Sequence, residues 1–157
     1  MANHNQQGKM VDMRNIALGI AEHDEKILVY QSRNPDTGLL FCRALGGGIE
    51  HGEHSRDALK REFMEELGAE IEILEFLGVI EDIFQWNGKT EHQISFNYRI
   101  RFTNPVFYEQ RSFKVLDDSI TAFWKPIADF QKGLKLYPTG ILEQIIATSP
   151  DALVQKS

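Results

Sequence analysis

The fold is decided by residues 47–69, which read GGIEHGEHSRDALKREFMEELGA. Apolar residues recur at every fourth position in the second half of this stretch, at Leu59, Phe63 and Leu67. That period is typical of the buried face of an amphipathic helix. Ser55 is placed to cap the helix at its start, and Gly68 is placed to end it. The stretch therefore predicts a helix over residues 55–67, preceded by a glycine-rich loop.

Carboxylates form a second stripe on the same predicted helix. At about 100° per residue, Glu62, Glu65 and Glu66 lie within roughly one quadrant, beside the apolar face. Clustered carboxylates repel one another, so the group needs a positive counter-charge to be useful. All-oxygen ligation suits Mg²⁺ or Mn²⁺, because Zn²⁺ would favour cysteine or histidine. The alternative is a solvated acidic helix face that holds no ligand.

Glycine and charged residues at fixed spacing complete the pattern. Gly47 is followed after five residues by Glu53, and Glu53 is followed after seven residues by Arg61. Together with the glutamates and Gly68, this spacing resembles the signature box of the Nudix hydrolases, which cleave nucleoside diphosphates linked to another moiety. Ala69 departs from the box, because the family usually has a larger aliphatic residue there. This departure concerns packing more than chemistry.

The resemblance implies a fold and an enzyme class. The fold is of the α/β (α+β) class, with a mixed β-sheet sandwiched between helices. The enzyme is a Mg²⁺- or Mn²⁺-dependent pyrophosphohydrolase, in which a metal-activated water attacks one phosphorus of a pyrophosphate bridge. Its favoured substrate is a nucleoside triphosphate, including an oxidised one. The alternative substrate is ADP-ribose or an NDP-sugar, and the alternative from another class is a regulatory domain that binds nucleotide without turnover.

The resemblance also implies roles for residues of the box. The implied metal ligands are the carbonyl of Gly47 and the carboxylates of Glu62, Glu65 and Glu66. The implied catalytic set is Glu53, Arg61, Glu65 and Glu66. Within it, Arg61 and Glu53 form an ion pair that orients the glycine loop and the metal-binding glutamates. Whether Glu65 is a third metal ligand or the base that activates water stays open.

Residues at the start of the box and on either side of it narrow the resemblance to a MutT-like bacterial Nudix subgroup. They are residues 43–53, 81–84, 87–88 and His92. Members of the subgroup tend to have Asn where this chain has Asp82, and Glu where it has Gln93. If that Glu binds metal or activates water in the subgroup, its role here has moved, for example to Glu91, or is absent.

Three residues are candidates for contact with the substrate: Arg43, Trp86 and His92. Arg43 precedes the glycine loop and is a candidate phosphate ligand, with a surface role as the alternative. Trp86 is a candidate for stacking on a base, with packing across the hairpin as the alternative. His92 has the position expected in the subgroup, with a solvated or structural role as the alternative.

Hydrophobic patterns predict the remaining elements. Strands over residues 15–21 and 26–31 form a hairpin, and residues 39–42 form a short buried strand. Asn87-Gly88 predicts a type I′ turn into a strand over residues 94–102, whose polar side chains alternate with apolar ones and face a cleft. Farther along, the sequence predicts a loop with room for one strand, a final strand and two short helices, at residues 107–118, 122–125, 127–131 and 140–147.

Length and composition exclude several other classes of protein. The chain has 157 residues, of which 42% are hydrophobic and 25% charged, and its net charge is −6. This size suits one domain over residues 14–157, after a flexible tail over residues 1–13. No apolar run approaches the roughly 20 residues of a membrane span, and the N-terminus is polar, which predicts a cytoplasmic protein without a membrane partner. The acidic balance disfavours duplex nucleic acid, so the predicted partner is a small-molecule nucleotide, and a homodimer is left open.

Overall fold

A computed structural model of the chain describes residues 13–115 and 120–148. The predicted N-terminal tail lies outside these residues, except for Met13, which begins the first strand. The single domain predicted over residues 14–157 likewise extends beyond them at its C-terminus.

The described residues form eight strands and four helices. The strands are β1 (Met13–His23), β2 (Lys26–Arg33), β3 (Leu40–Gly48), β4 (Ile71–Trp86), β5 (Lys89–Phe102), β6 (Ser112–Lys114), β7 (Thr121–Pro126) and β8 (Leu136–Tyr137). The helices are α1 (Ser55–Leu67), α2 (Val106–Glu109), α3 (Ile127–Gln131) and α4 (Ile141–Ala147). The predicted hairpin, the strand over residues 122–125 and the two short helices are therefore confirmed, but that strand is not the final one, because β8 follows it.

The strands make one mixed sheet in the order β4-β5-β1-β3-β2-β7-β6, with β8 paired to β3. The pairs β1–β5 and β3–β8 are parallel, and the other pairs are antiparallel. One apolar cluster packs α1 against the sheet through Leu59 and Phe63. A second cluster packs α3 and α4 through Phe130, Ile141 and Ile145. The predicted fold class, a mixed sheet with helices, is confirmed.

Helix α1 begins and ends where the sequence predicts, but its N-terminal cap is a different residue. His54 has extended backbone angles, and its ring nitrogen Nδ1 accepts a hydrogen bond from the Arg56 amide at 3.2 Å. Ser55 is instead the first helical residue, and its hydroxyl lies 2.6 Å from the Tyr98 hydroxyl. Gly68 ends the helix in the left-handed region, at φ 63°, as predicted.

The glycines before α1 belong to a strand, where the sequence predicts a loop. They extend β3, and Gly47 pairs with Ala17 of β1. A Cβ atom at Gly46 would lie 2.0 Å from the Ala17 carbonyl oxygen, and the φ of Gly46 is 151°. Glycine therefore allows the two backbones to approach closely enough to pair. A run of glycines in a sequence is usually interpreted as a loop, so the prediction missed this part of the strand.

Strand β5 follows the predicted alternation, but its polar face does not line a cleft over most of its length. The turn before it has positive φ at Asn87 and Gly88, as a type I′ turn requires. Its polar side chains are buried, at Gln93, Ser95, Asn97 and Arg99. Helix α4 covers this face, because Asn97 donates to the Gln144 side chain at 3.0 Å and Arg99 donates to the Ile145 carbonyl at 3.2 Å.

The segment predicted as a loop over residues 107–118 is more ordered than its mixed composition indicates. It contains the last residues of α2 and all of β6, which pairs with β7. Phe107 stacks on Phe102 at 4.7 Å between ring centroids, and Phe113 is buried. Aromatic packing therefore fixes a segment that lacks a clean hydrophobic period. Residues 116–119 of the prediction lie outside the described residues.

Candidate active site

Arg61 is the centre of the ionic network on α1. Its Nε and Nη2 atoms donate to the two carboxylate oxygens of Glu53 at 2.8 and 2.9 Å, which is a bidentate ion pair. Nη2 also donates to the carbonyl oxygen of Gly48 at 2.9 Å. One guanidinium thus ties the end of β3, the connecting segment and α1 together. The predicted Glu53–Arg61 pair is present in this geometry.

The same guanidinium also contacts two of the helix glutamates. Its Nη1 atom lies 3.0 Å from Glu62 and 3.2 Å from Glu65. The Arg61 hydrogen bonds, together with one from the Glu50 amide, lower the pKa of Glu53 to about 2. In turn, the hydrogen bond with Glu53 raises the pKa of Arg61 above its ordinary value. Both members of the pair are therefore charged throughout the physiological pH range.

The carboxyl group of Glu62 packs directly on the backbone of Gly47. A Cβ atom at Gly47 would lie 2.4 Å from the Glu62 carboxyl carbon and 2.6 Å from one of its oxygens, so no larger residue fits without moving Glu62. Glu66 follows Glu62 by one helical turn and is half-buried, whereas Glu65 is exposed. The structure therefore places the backbone of Gly47 beside the acidic face of the helix.

The donor set of this region is all oxygen. Within residues 13–115 and 120–148, no three His, Cys, Asp or Glu side chains converge in the geometry of a metal cage. Mg²⁺ does not require such a cage, because it retains several waters and binds proteins through one or two carboxylates. The cradle at Gly47 brings a carboxylate and backbone close together without steric clash. The residues present therefore fit a hard cation such as Mg²⁺ or Mn²⁺.

The three predicted substrate residues lie near one another at the other end of β3. Arg43, Trp86 and His92 all line a small cleft of about 160 Å³. Arg43 donates to the side-chain oxygen of Gln93 at 3.4 Å. The Trp86 ring packs edge-on against Phe41, with 5.8 Å between centroids. His92 Nε2 lies 2.9 Å from the Glu81 carboxylate.

A larger cleft of about 360 Å³ adjoins the small one and shares Arg43, Phe84 and Trp86 with it. Sequence reasoning did not assign Asp82, which lines this cleft, or Arg14, which lines the small one. Burial raises the pKa of Asp82, while the charge of Arg43 and a hydrogen bond from the Thr139 backbone oppose the shift. The sequence could have pointed to Asp82, because the subgroup tends to have Asn at that position. Nothing in the sequence distinguishes Arg14 from other surface arginines.

Comparison with models of protein families assigns the chain to a family. The model of the NUDIX domain matches residues 13–142, which is most of the chain. The chain therefore belongs to the Nudix family, as the signature box predicts, and its class is that of the Nudix pyrophosphohydrolases. No curated protein matches the chain significantly. Among the described residues, no helix is both long and apolar enough to cross a membrane.

Solved structures with the same fold include a MutT hydrolase. One is a MutT NUDIX hydrolase from Burkholderia pseudomallei, with 26% identity, coverage of 85% of this chain and 98% of that chain, and a TM-score of 0.63. The E. coli ORF135 protein is 22% identical, with coverage of 88% and 92% and a TM-score of 0.61. A NUDIX hydrolase from Nitrosomonas europaea is 21% identical, with coverage of 91% and 90% and a TM-score of 0.56. The predicted MutT-like subgroup is thus confirmed.

Proposed function

We propose that this chain is a Mg²⁺-dependent pyrophosphohydrolase that cleaves nucleoside triphosphates, including oxidised ones, with Mn²⁺ as an alternative metal. The observation that carries the proposal is the packing of the Glu62 carboxylate on the Gly47 backbone, on a helix that Arg61 ties to the end of β3. The packing brings a carboxylate against the backbone of the residue whose carbonyl is the other proposed ligand, which supports a Mg²⁺ site made of oxygen donors. The choice of a triphosphate follows from the MutT-like resemblance of the sequence, and a MutT NUDIX hydrolase is among the similar structures.

In this proposal the metal ligands are the Gly47 carbonyl and the carboxylates of Glu62 and Glu66, with Glu65 as either a third carboxylate ligand or the base. When bound, Mg²⁺ would neutralise phosphate oxygens and lower the pKa of a coordinated water. Arg61 and Glu53 position the glutamates, because the bidentate pair fixes both side chains. If Glu65 is the base, it deprotonates the attacking water, and together with the metal ligand Glu66 and the positioning pair Arg61 and Glu53 it completes the proposed catalytic set.

Substrate binding is proposed for Arg43, Trp86 and His92. Arg43 is suited to a phosphate, because guanidinium groups bind phosphate oxygens in pairs. Trp86 keeps one edge against Phe41 and lines both clefts, which suits stacking on a base. His92 is assigned a weaker, positioning role, since Glu81 already engages its ring.

The test is product analysis with purified protein. Nucleoside triphosphates, ADP-ribose, NDP-sugars and dinucleoside polyphosphates are each incubated with Mg²⁺ or with EDTA. We expect Mg²⁺-dependent release of a nucleoside monophosphate and pyrophosphate from a triphosphate. Glu66→Gln should lower kcat roughly 100-fold or more, since even a residue that only orients a metal ligand contributes 10- to 100-fold. The matched control is Glu143→Gln, which alters an exposed glutamate on α4.

The possible products separate the competing functions. Cleavage of ADP-ribose or an NDP-sugar in preference to triphosphates would replace the substrate class but retain the reaction. If nucleotides raise the melting temperature and none is hydrolysed, the regulatory binding domain replaces the enzyme. An active Glu66→Gln variant would contradict the assigned metal site.

Three further properties are part of the proposal. We place the protein in the cytoplasm, and we treat residues 14–157 as one domain. Its partners are small nucleotides rather than duplex nucleic acid, because a net charge of −6 opposes binding to phosphate backbones. The homodimer is tested by light scattering, where a mass near 18.0 kDa would identify a monomer.

A further inference from the structure

One glutamine side chain of α4 is bonded to two strands of the sheet. The Oε1 atom of Gln144 accepts from the side-chain amide of Asn97 on β5 at 3.0 Å. Its Nε2 atom donates to the carbonyl oxygen of Val79 on β4 at 3.4 Å. A glutamine amide has distinct donor and acceptor ends, so these two bonds allow it one orientation. Gln144 therefore joins α4 to β4 and β5 together.

The sheet is shaped to receive this side chain. A Cβ atom at Gly78 would lie 2.6 Å from Nε2 and 3.1 Å from the Cδ atom of Gln144, and the φ of Gly78 is 139°, a region that favours glycine. The pairing of β4 with β5 is irregular between Phe76 and Gly78. Asn97, on the β5 side, is fully buried. We call Gly78, Val79 and Asn97 the glutamine socket.

Arg99 holds the other end of α4. Its guanidinium donates to the carbonyl oxygen of Ile145 at 3.2 Å and to the hydroxyl of Thr148 at 2.9 Å. Carbonyls in the last turn of a helix lack helical partners, and a cation is favoured there. Arg99 is itself held by ion pairs with Glu75 at 2.7 Å and Glu22 at 2.5 Å. Polar contacts therefore fix α4 at its middle and at its C-terminal end.

These polar contacts decide where α4 lies. The helix has seven residues, fewer than the roughly 12–15 at which an isolated helix is marginally stable in water. Ile141 and Ile145 are buried and supply apolar contact, which is not directional. Hydrogen bonds are directional. The bonds of Gln144 and Arg99 therefore set the rotation of α4 and its position along the sheet.

The segment just before α4 forms one wall of the larger cleft. Tyr137 and Thr139 both line this cleft of about 360 Å³. Tyr137 belongs to β8, and the backbone of Thr139 bonds Asp82 on the other side of the cleft. The Ile141 amide donates to the carbonyl of Pro138 at 3.1 Å, which joins the segment to the first turn of α4. A shift of α4 would therefore carry this wall with it.

We propose that Gln144 is a positioning residue for nucleotide binding. The glutamine socket holds α4 in one place, and α4 holds residues 137–140 as the wall of the larger cleft. The proposal rests on the proposed function in that the nucleotide binds in this cleft. Within the part of the chain that the structure describes, Gln144 lines neither cleft, so it acts through α4.

This role predicts an effect on binding and none on chemistry. Without the socket bonds, the wall is in place in only a fraction of the molecules, and the apparent affinity falls by that fraction. Bound nucleotide selects the molecules in which the wall is in place. The chemical step in those molecules is unaltered, so KM rises and kcat does not change.

The first experiment needs no substrate. Amide hydrogen exchange is measured by NMR in the unmodified protein and in Gln144→Ala, which leaves the buried Asn97 amide without its partner. Exchange of the Ile141 amide should be about tenfold faster or more. The Cys42 amide donates to the Lys135 carbonyl beside β8 at 2.9 Å, and its exchange should be unchanged. Equal acceleration at both amides, or none at Ile141, would overturn the proposal.

The matched control is Glu143→Ala. Glu143 is the neighbour of Gln144 on α4, and its side chain is exposed. The substitution makes the same change of backbone preference in the same helix without touching the socket. Exchange of the Ile141 amide should stay as in the unmodified protein. Equal acceleration in the two variants would assign the effect to the helix as a whole and refute the role of Gln144.

The second experiment approaches the socket from the sheet. In Gly78→Ala the added methyl group would lie 2.6 Å from Nε2 of Gln144 and displace it, so Ile141 exchange should again accelerate about tenfold. In the Gln144→Ala background this clash is absent, and the same substitution should add less than about twofold. Equal effects in both backgrounds would mean that Gly78 acts through its own backbone conformation, and the socket would be refuted.

Kinetics then connect the wall to the reaction. Gln144→Ala should raise the KM for GTP about tenfold and change kcat less than about twofold, whereas Glu143→Ala should change neither. Faster exchange at Ile141 with an unchanged KM would overturn the proposal and leave the proposed function intact. If no triphosphate is hydrolysed, the proposed function fails, and GTP binding measured by titration calorimetry in EDTA decides the role of Gln144. Weaker binding by Gln144→Ala supports it, and equal or absent binding refutes it.

Discussion

Helix α1 with its glycine-bearing strand and the cleft around Asp82 are two polar regions built in different ways. In the first, residues of a single 23-residue stretch contact one another, and Arg61 alone joins Glu53, Glu62 and Glu65. In the second, contacts join residues far apart in the chain, since Arg43 bonds Gln93 and Asp36 bonds Gly88. Helical geometry fixes most of the first region locally, whereas the second exists only after the sheet has formed.

This difference predicts a division of labour. Changes in the region of α1 should affect catalysis and metal affinity with little effect on which nucleotide is used. Changes in the cleft should affect KM and base preference and leave the chemical step largely intact. A variant near α1 that changed base preference, or a variant in the cleft that changed kcat, would show that the two regions act as one.

Among the variants that test this division, the largest effect is expected from Gly47→Ala. The added methyl group would lie 2.4 Å from the Glu62 carboxyl carbon, so Glu62 must move away from the backbone. Displacement of a reacting group by about 1 Å can lower a rate about 100-fold, and we expect a loss of that size in kcat together with weaker Mn²⁺ binding. Kinetics and Mn²⁺ titration measure the two quantities.

Gly48→Ala is the control for that experiment. A Cβ atom at Gly48 would have no heavy atom within 4 Å, and its carbonyl can still accept from Arg61. Its effect should therefore be much smaller than that of Gly47→Ala. Equal losses in the two variants would mean that flexibility of the glycines, rather than space beside Glu62, sets the activity.

Arg61→Lys should have the next largest effect. An ammonium group cannot reproduce both the bidentate pair with Glu53 and the hydrogen bond to the Gly48 carbonyl. The glutamates of α1 would then no longer be held in position by one guanidinium. We expect kcat to fall roughly 10- to 100-fold with a small change in KM. Arg101→Lys, in the exposed pair with Glu72, is the matched control and should alter neither. A rise in KM alone would contradict the positioning role of Arg61.

A smaller effect, on KM rather than on kcat, is expected from Trp86→Leu. Loss of stacking on a base should raise KM about tenfold and leave kcat nearly constant. Trp86→Phe keeps an aromatic face and should recover most of the loss. Because Trp86 also packs against Phe41, melting temperatures are compared first. If kcat falls and KM does not change, Trp86 acts on the chemistry, and the division between the two regions is lost.

The sequence predicts the region of α1 well because its contacts are local. The spacing of Leu59 and Phe63 identifies the buried face, and the glutamates follow from the same period. The identity of the cap was wrong, since Ser55 and His54 are both suitable polar residues and their difference depends on the contact of Ser55 with Tyr98. That contact joins residues 43 positions apart, which no local pattern encodes.

The sequence predicts much less of the cleft and of the surroundings of β5. Alternation along β5 predicts one polar face, but whether water or a helix covers that face depends on where α4 docks. Asp82 could be noted only as a departure from the subgroup, because its neighbours Arg43 and Thr139 come from other strands and turns. Tertiary contacts of this kind override local pattern, and they are also where substrate binding is proposed to occur.

The smallest effect tests the ion pair of Glu53 through acid stability. Its pKa falls from 4.5 to about 2 on folding, because Arg61 and the Glu50 amide stabilise the charged form. A lowered pKa in the folded state means that the unfolded chain binds more protons, so this contribution is full above about pH 4.5 and is lost as the pH falls towards 2. Urea unfolding of the unmodified protein and of Glu53→Gln should therefore differ at pH 7 and converge below pH 4.5. A difference that stayed constant from pH 7 to pH 3 would mean that the carboxylate charge adds nothing, and that Glu53 braces α1 by shape and hydrogen bonding alone.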